Sequence, residues 1–284
     1  MILVIGGTGT IGAPLVEQLV SRGQKVRVAT SRSEHKEQLQ RSGLDAVLMD
    51  LNQIDSIKVA CVGAEKMFLV TPAHSNMRQW RSNAIIAAQE SSIGHVVMST
   101  GLGASPKARL TFGIWHSENQ EQLKQSGMDW TLVQPTYFMQ NLMWLAESIA
   151  TRAVYPDDVG GPVSWVDARD ISDVSAEALT GEGHAGKSYG LTGGQALDGE
   201  AIAALLSTAT KRKIIRHAVS ALDARAAMIA SGMNPEVADA MNELAALAPK
   251  GYLAGIETTI PDVLNRPART FADFIGENAA VLGK

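Results

Sequence analysis

Four glycines open the chain's chemistry: Gly6, Gly7, Gly9 and Gly12 in the run GGTGTIG, with Thr8, Thr10 and Ile11 between them. Glycines at this spacing let a backbone turn sharply, approach a pyrophosphate closely and pack a following helix hard against the preceding strand. The N–H groups and positive dipole end of that helix then face the phosphates. Glycine turns are common, but this one follows the apolar run Ile2–Ile5 and precedes Leu15, Val16, Leu19 and Val20 at helical spacing. That strand–turn–helix context is the one that makes the pattern a dinucleotide fingerprint. Gly9 and Gly12 are expected to have no room for a side chain. Further on, Thr30, Ser31 and Arg32 occupy the place where a carboxylate would hold the 2′-hydroxyl of NAD. Hydroxyls and a guanidinium, whose planar fork matches phosphate, favour the 2′-phosphate of NADP(H) over NAD(H). Lys36, one turn later, reads as part of a solvated helix face. Asp50 with Leu51 could flank the adenine, and Thr71 with Pro72 could border the ribose linkage; ordinary strand-end loops are the alternative for all four.

These residues need elements to hold them. KVRVAT at 25–30, AVLM at 46–49, KMFLVT at 66–71, HVVMS at 95–99 and WTLV at 130–133 read as strands two to six. Helical patterns run between them, over 33–42, 54–62, 77–91 and 106–126. Such alternation implies right-handed βαβ units and an α/β fold, a Rossmann-type doubly wound parallel sheet. The pattern changes after about residue 150, where Gly160, Gly161 and Pro162 break the chain. A helix is expected over 170–179, a strand over 187–191, and helices over 197–208, 222–230, 235–247 and 271–280. Residues 1–150 are thus expected to form the NAD(P)-binding domain. Residues 151–284 would form a smaller, mainly helical C-terminal lobe, with about 163–191 packing back on the sheet. Ligands are expected in the cleft at the carboxyl ends of the strands.

Composition narrows the class. The chain has 284 residues, 45% hydrophobic and 19% charged, and a formal net charge of −4, without the basic footprint of a nucleic-acid binder. Its single cysteine, Cys61, allows no internal disulfide and reads as a small buried apolar residue. Six scattered histidines, with no H-x₃-H pair, offer no metal site. The first apolar run is too short for a signal peptide and no segment approaches the ~20 apolar residues of a membrane span, so a cytoplasmic protein without membrane contact is expected.

GGTGTIG at 6–12, the Arg32 position, HVVMSTGLGAS at 95–105 and HSENQEQLKQSGMDWTLVQPTYFMQN at 116–141 together resemble the NmrA-like branch of the atypical short-chain dehydrogenase/reductases, over nearly the whole chain. In bacteria that resemblance leans towards NAD(P)H:quinone oxidoreductases and triphenylmethane-dye reductases. Ordinary short-chain dehydrogenases use a Tyr with a Lys four residues on as proton donor. Here Tyr137, Tyr155, Tyr189 and Tyr252 are followed at that spacing by Asn141, Val159, Gly193 and Ile256, so the pair is absent. The family's Arg before Pro is Gln134. Where isoflavone-type reductases carry a lysine, this chain has His116, as the quinone-reductase-like relatives do. His116 could donate a proton, with turnover then falling as pH rises through its pKa. It could instead bond the nicotinamide ribose, or be a structural helix histidine. Ser99 and Thr100 would end the fifth strand beside the nicotinamide, with plain strand-end hydrogen bonding as the alternative, and residues 135–141, with Pro135, Tyr137 and Phe138, would form the loop over its ring. Tyr137 and Trp165 could contact an aromatic substrate, and Tyr137 with Phe138 could stack on it or merely pack under the lobe. Trp80, Trp115, Trp144 and Trp165 read otherwise as core or cleft wall.

The resulting expectation is an NADP(H)-dependent oxidoreductase that transfers hydride to a conjugated, quinone-like aromatic acceptor. Such an acceptor delocalises the incoming charge and needs no strong protein acid, which fits the missing Tyr–Lys pair. The rival reading is a non-catalytic NADP(H)-binding redox sensor of NmrA type. A nucleotide-sugar epimerase is disfavoured by the same missing pair. Nothing in the sequence fixes the assembly, which leaves a homodimer open.

Overall fold

The computed structural model describes residues 1–283. In chain order it has β1 (Ile2–Ile5), α1 (Gly12–Ser21), β2 (Val26–Thr30), α2 (Ser33–Arg41), β3 (Asp45–Leu48), α3 (Ile54–Cys61), β4 (Lys66–Leu69), α4 (Met77–Glu90), β5 (His95–Ser99), α5 (Thr111–Lys124) and β6 (Asp129–Pro135). A 3₁₀ segment (Met139–Leu145) then leads to α6 (Ala146–Arg152), β7 (Val154–Asp157), α7 (Ala168–Thr180), β8 (Lys187–Leu191), α8 (Gly199–Thr210) and β9 (Ile215–Ala218). Helices α9 (Ala221–Ala230), α10 (Pro235–Ala245), α11 (Thr259–Leu264), α12 (Phe271–Glu277) and α13 (Ala279–Leu282) complete the chain.

The chain divides into two compact units, Met1–Gln134 with Ile171–Gly190, and Pro135–Asp170 with the chain from Leu191 on. The first segment of the first unit ends within β6, and its second segment carries most of α7 and β8.

In the first unit seven strands lie in the order β3-β2-β1-β4-β5-β6-β8, and each neighbouring pair from β3 to β6 is parallel. β1 and β5 are buried at every position, as strands covered on both faces must be. Ile5 lies opposite both Ala29 and Leu69, Leu69 opposite Met98, and Thr30 opposite Leu48. This register brings the loops after β1, β2, β3, β4 and β5 out at one edge, where nearly all the candidate residues of this unit sit. The core beneath is aliphatic, built from Leu3, Ile5, Ile57, Met67, Leu69, Ile85 and Leu132 among others. Cys61 belongs to it, and burial pushes its thiol up to about 11, as expected of an inert packing residue.

The 106–126 helix starts only at Thr111. Residues 101–108 turn twice, with Ala104 N–H bonding the Gly101 carbonyl and Ala108 N–H the Ser105 carbonyl. In the second unit, Tyr137, Trp165, Phe271 and Phe274 form an aromatic row inside the core, with centroids 5.3 to 6.1 Å apart. Trp144 does not join any core: it is 70% exposed on the 3₁₀ segment. Trp80 is half-buried, stacked on His74 and donating to Asn52 Oδ1. β7 and β9 pair only with each other. Among the described residues no helix is long and apolar enough to cross a membrane.

Candidate active site

The glycine turn is shaped by the chain itself at three of its four glycines. Gly6 has φ +83°, and a Cβ there would lie 2.7 Å from the Val70 carbonyl oxygen. At Gly7 it would lie 2.7 Å from Val28 Cγ1, and at Gly12 it would overlap the Gly6 carbonyl. Gly9 is different. A Cβ there meets only the Gly6 carbonyl oxygen, at 3.3 Å. The fold itself fills the space at Gly12, whereas Gly9 stands on the turn's more open side. Thr8, Gly9 and Thr10 are exposed and Ile11 is buried. No side chain caps α1 and no acidic residue stands in its first turn, which leaves that end fit for an anion. Ser172, which nothing in the sequence had singled out, donates from α7 to the Ile11 carbonyl at 2.7 Å and buttresses the turn from below.

At the end of β2, Thr30 is buried and its hydroxyl accepts the Arg32 N–H at 3.3 Å. Ser31 and Arg32 are exposed, and the Arg32 guanidinium has no partner among the described residues. Asp50 accepts from both the backbone and the side-chain nitrogen of Asn52, so its carboxylate orders its own loop. Leu51 packs on the core while its carbonyl takes a bond from Asn83. Pro72 is exposed.

Thr71 leads to a network that the sequence did not disclose. Arg81, on α4, is 2% exposed; its Nε donates to Thr71 Oγ1 at 3.0 Å and its Nη1 lies 2.7 Å from His116 Nδ1. A guanidinium can only donate, so Nδ1 accepts, and the ring proton sits on Nε2. That Nε2 borders Gly101, where an added Cβ would come within 3.1 Å of it. Burial, and then the Arg81 charge, hold His116 well below its ordinary value, so the ring is neutral at physiological pH. A proton-donating ring would have to carry the charge that this environment disfavours. Beside it, Gln120 donates to the Thr100 hydroxyl at 2.9 Å, and Ser99 is buried at the end of β5.

In the second unit Pro135 and Tyr137 are buried and Phe138 half-buried. Tyr137 and Trp165 pack edge to face, and burial pushes the Tyr137 hydroxyl far above its ordinary value, so it keeps its proton. Trp165 Nε1 is buried without a partner among the described residues. It lines a cavity of about 180 Å³ with Met139, Arg269 and Phe271; a neighbouring cavity of about 520 Å³ is lined by Thr192, Glu257 and Arg266 among others.

Histidine burial has a consequence for stability. His95 bonds the Thr131 hydroxyl, which itself donates to the His184 carbonyl, and burial also lowers its pKa. With folded-state values depressed, His95 and His116 take up protons in the unfolded chain first. Stability is therefore full above about pH 6.5 and is lost below it, at up to ~1.4 kcal/mol per pH unit for each ring. The urea midpoint should fall between pH 7 and pH 5; a midpoint that holds or rises would contradict this.

Fold and turn define a Rossmann-type dinucleotide-binding protein. Residues 6–182 match the NAD(P)H-binding family, and the chain belongs to it, with relatives consistent with the NmrA-like atypical branch. It is 43% identical to the NAD(P)H azoreductase of Xenophilus azovorans over 284 residues, covering 100% of this chain and 99% of that one. In fold it is similar to an NADPH-dependent quinone oxidoreductase of Escherichia coli complexed with NADPH, at TM-score 0.87 and 22% identity over 98% of this chain and 99% of that one. It is likewise similar to the Citrobacter sp. triphenylmethane reductase complexed with NADP(H), at TM-score 0.86 and 18% identity over 98% and 100%.

Proposed function

We propose that this chain is an NADPH-dependent reductase that passes hydride to a flat, conjugated acceptor, an azo compound or a quinone. The observation that carries the reading is an open glycine turn and a neutral imidazole donor at the same edge of one sheet, in a chain without a Tyr–Lys pair. The azo acceptor is favoured by the 43% identity to a protein named as an NAD(P)H azoreductase.

The turn from Gly6 to Gly12 and the uncapped end of α1 hold the pyrophosphate. Thr30, Ser31 and Arg32 take the 2′-phosphate, while Asp50, Leu51, Thr71 and Pro72 border the adenosine side through backbone and apolar contact, their polar groups being largely engaged elsewhere. Ser99, Thr100, Pro135, Tyr137 and Phe138 border the nicotinamide, which when bound supplies the hydride. Tyr137 and Trp165 contact the acceptor. His116 Nε2–H donates a hydrogen bond to the acceptor atom that gathers negative charge. A quinone takes one hydride and one proton to become a hydroquinone. An azo bond takes two hydrides and two protons, over two rounds, to become two amines. Water supplies the protons in either case, since neither His116 nor Tyr137 is a strong acid here.

Arg32→Ala should weaken NADPH binding by roughly ten- to a hundredfold, the worth of a lost charge-assisted phosphate contact at ~1.5–3 kcal/mol, and leave NADH binding as it was. Calorimetric titration with both cofactors reads this directly. Equal affinity of the wild-type protein for NADPH and NADH would remove the cofactor assignment.

A further inference from the structure

We infer that Arg81 is the positioning residue of the site: it locks His116 as the neutral, Nε2-protonated tautomer and polarises that N–H towards the reacting acceptor. The inference rests on the proposed role of His116 and adds how that role is secured.

The geometry is unusual for an arginine. Arg81 is almost wholly buried in the first unit, yet its hydrogen bonds go to a threonine hydroxyl and an imidazole nitrogen, both neutral. Among the described residues no carboxylate forms an ion pair with it. A buried guanidinium without an anion is costly, and a fold that needed only a filler would place an apolar side chain there. Arg78, the other arginine on α4, is paired with Glu118 on α5 and so leaves Arg81 as the charge that acts on the ring.

Two bonds fix Arg81 at both ends. Thr71, just beyond β4, holds Nε, and this aims Nη1 at His116 on α5. The donated bond has two effects on the imidazole. It forbids a proton on Nδ1, so the donor must be Nε2–H. It also draws electron density towards Nδ1, which makes Nε2–H a stronger donor than in a free neutral imidazole. A neutral ring of this kind stabilises charge developing on a neighbouring atom without having to give up its proton, the logic of an electrophilic histidine kept unprotonated by a nearby positive potential. Gly101 leaves the space in which Nε2 lies, and a side chain there would push against it.

Nitrogen-15 NMR of the imidazole rings tests this without any acceptor present. In the wild-type protein His116 should show a protonated Nε2 and a bare Nδ1, with no titration between pH 8 and pH 5.5. In Arg81→Met the ring should sample both tautomers, and its value should rise only part of the way, since burial still holds it down. The kcat should fall roughly ten- to a hundredfold, the usual cost of losing an orienting partner, with NADPH affinity unchanged. Arg81→Lys, which keeps a charge and a donor but not the fork, should recover part of the kcat. If Arg81→Met fails to fold, Thr71→Val, which frees only the Nε end, should still broaden the His116 signals and lower kcat. A wild-type His116 that titrates with an ordinary value, or that carries its proton on Nδ1, overturns the inference. So does an unchanged His116 spectrum and kcat in a folded Arg81 or Thr71 variant. A wild-type protein with the expected spectrum and no turnover on any acceptor would instead overturn the reductase reading while leaving the Arg81–His116 lock in place.

Discussion

Gly9→Val is expected to abolish NADPH binding in a protein that remains folded, and Gly12→Val to damage the fold itself. The two glycines are three residues apart in one turn, but different things limit them. At Gly9 an added Cβ would meet only the Gly6 carbonyl oxygen, at 3.3 Å, a tight contact but well short of the overlap at Gly12, so the fold should survive a side chain that would stand where the phosphates are expected. Losing two charge-assisted contacts to the pyrophosphate would cost ~3–6 kcal/mol, or roughly a hundredfold to ten-thousandfold in affinity. At Gly12 the added carbon would run into the Gly6 carbonyl and lie 2.7 Å from Gly7 Cα, both backbone atoms that cannot rotate away. Overpacking of that kind costs ~3 kcal/mol or more, which in a chain of this length lowers Tm by about 10 °C. Thermal unfolding followed by circular dichroism and calorimetric titration with NADPH separate the two. Normal NADPH binding by Gly9→Val would mean that the turn is only a structural corner.

His116→Ala should lower kcat by roughly a hundredfold with NADPH affinity nearly unchanged, the cost of one lost donor to developing charge. The shape of the pH profile should not change between pH 7 and pH 9, because the lowered His116 value favours the neutral ring there. Two other results would each reject this role. A drop in NADPH affinity with kcat preserved would make His116 a ribose ligand, and a loss of stability with both kinetic constants preserved would make it a structural residue.

Much of the first unit could be read from the sequence because its strands are buried on both faces and so stand out as unbroken apolar runs bounded by turns. β5 and β8 fall where the residues 95–99 and 187–191 placed them. The glycine turn was legible for the same reason, since only a turn bounded by a strand and a helix needs four glycines in seven residues. The contrast between Gly9 and Gly12 was not, because it depends on which side of the turn the Gly6 carbonyl points. The second unit was harder. β7 contains Pro156, β9 is mostly exposed, and each pairs only with the other, so neither shows a buried-strand pattern. Residues 139–152, part 3₁₀ and part α-helix, place Trp144 in solvent where its type suggested burial. Arg81 was hidden for a different reason: inside a helix reading MRQWRSNAIIAAQE it looks like an ordinary solvated charge, and only the fold brings Thr71 and His116 to it. The missing Tyr–Lys pair was visible at once, and it directs attention to a histidine whose protonation only its surroundings could set.

The most direct test of the reductase reading is the rate at which the purified wild-type protein oxidises NADPH, followed by loss of the reduced nicotinamide's absorbance, across a panel of azo dyes, quinones, triphenylmethane dyes and enones. Turnover is expected with azo compounds or quinones, faster with NADPH than with NADH. Tight NADPH binding with no oxidation on any member of the panel would contradict it and leave a cofactor-binding sensor in its place.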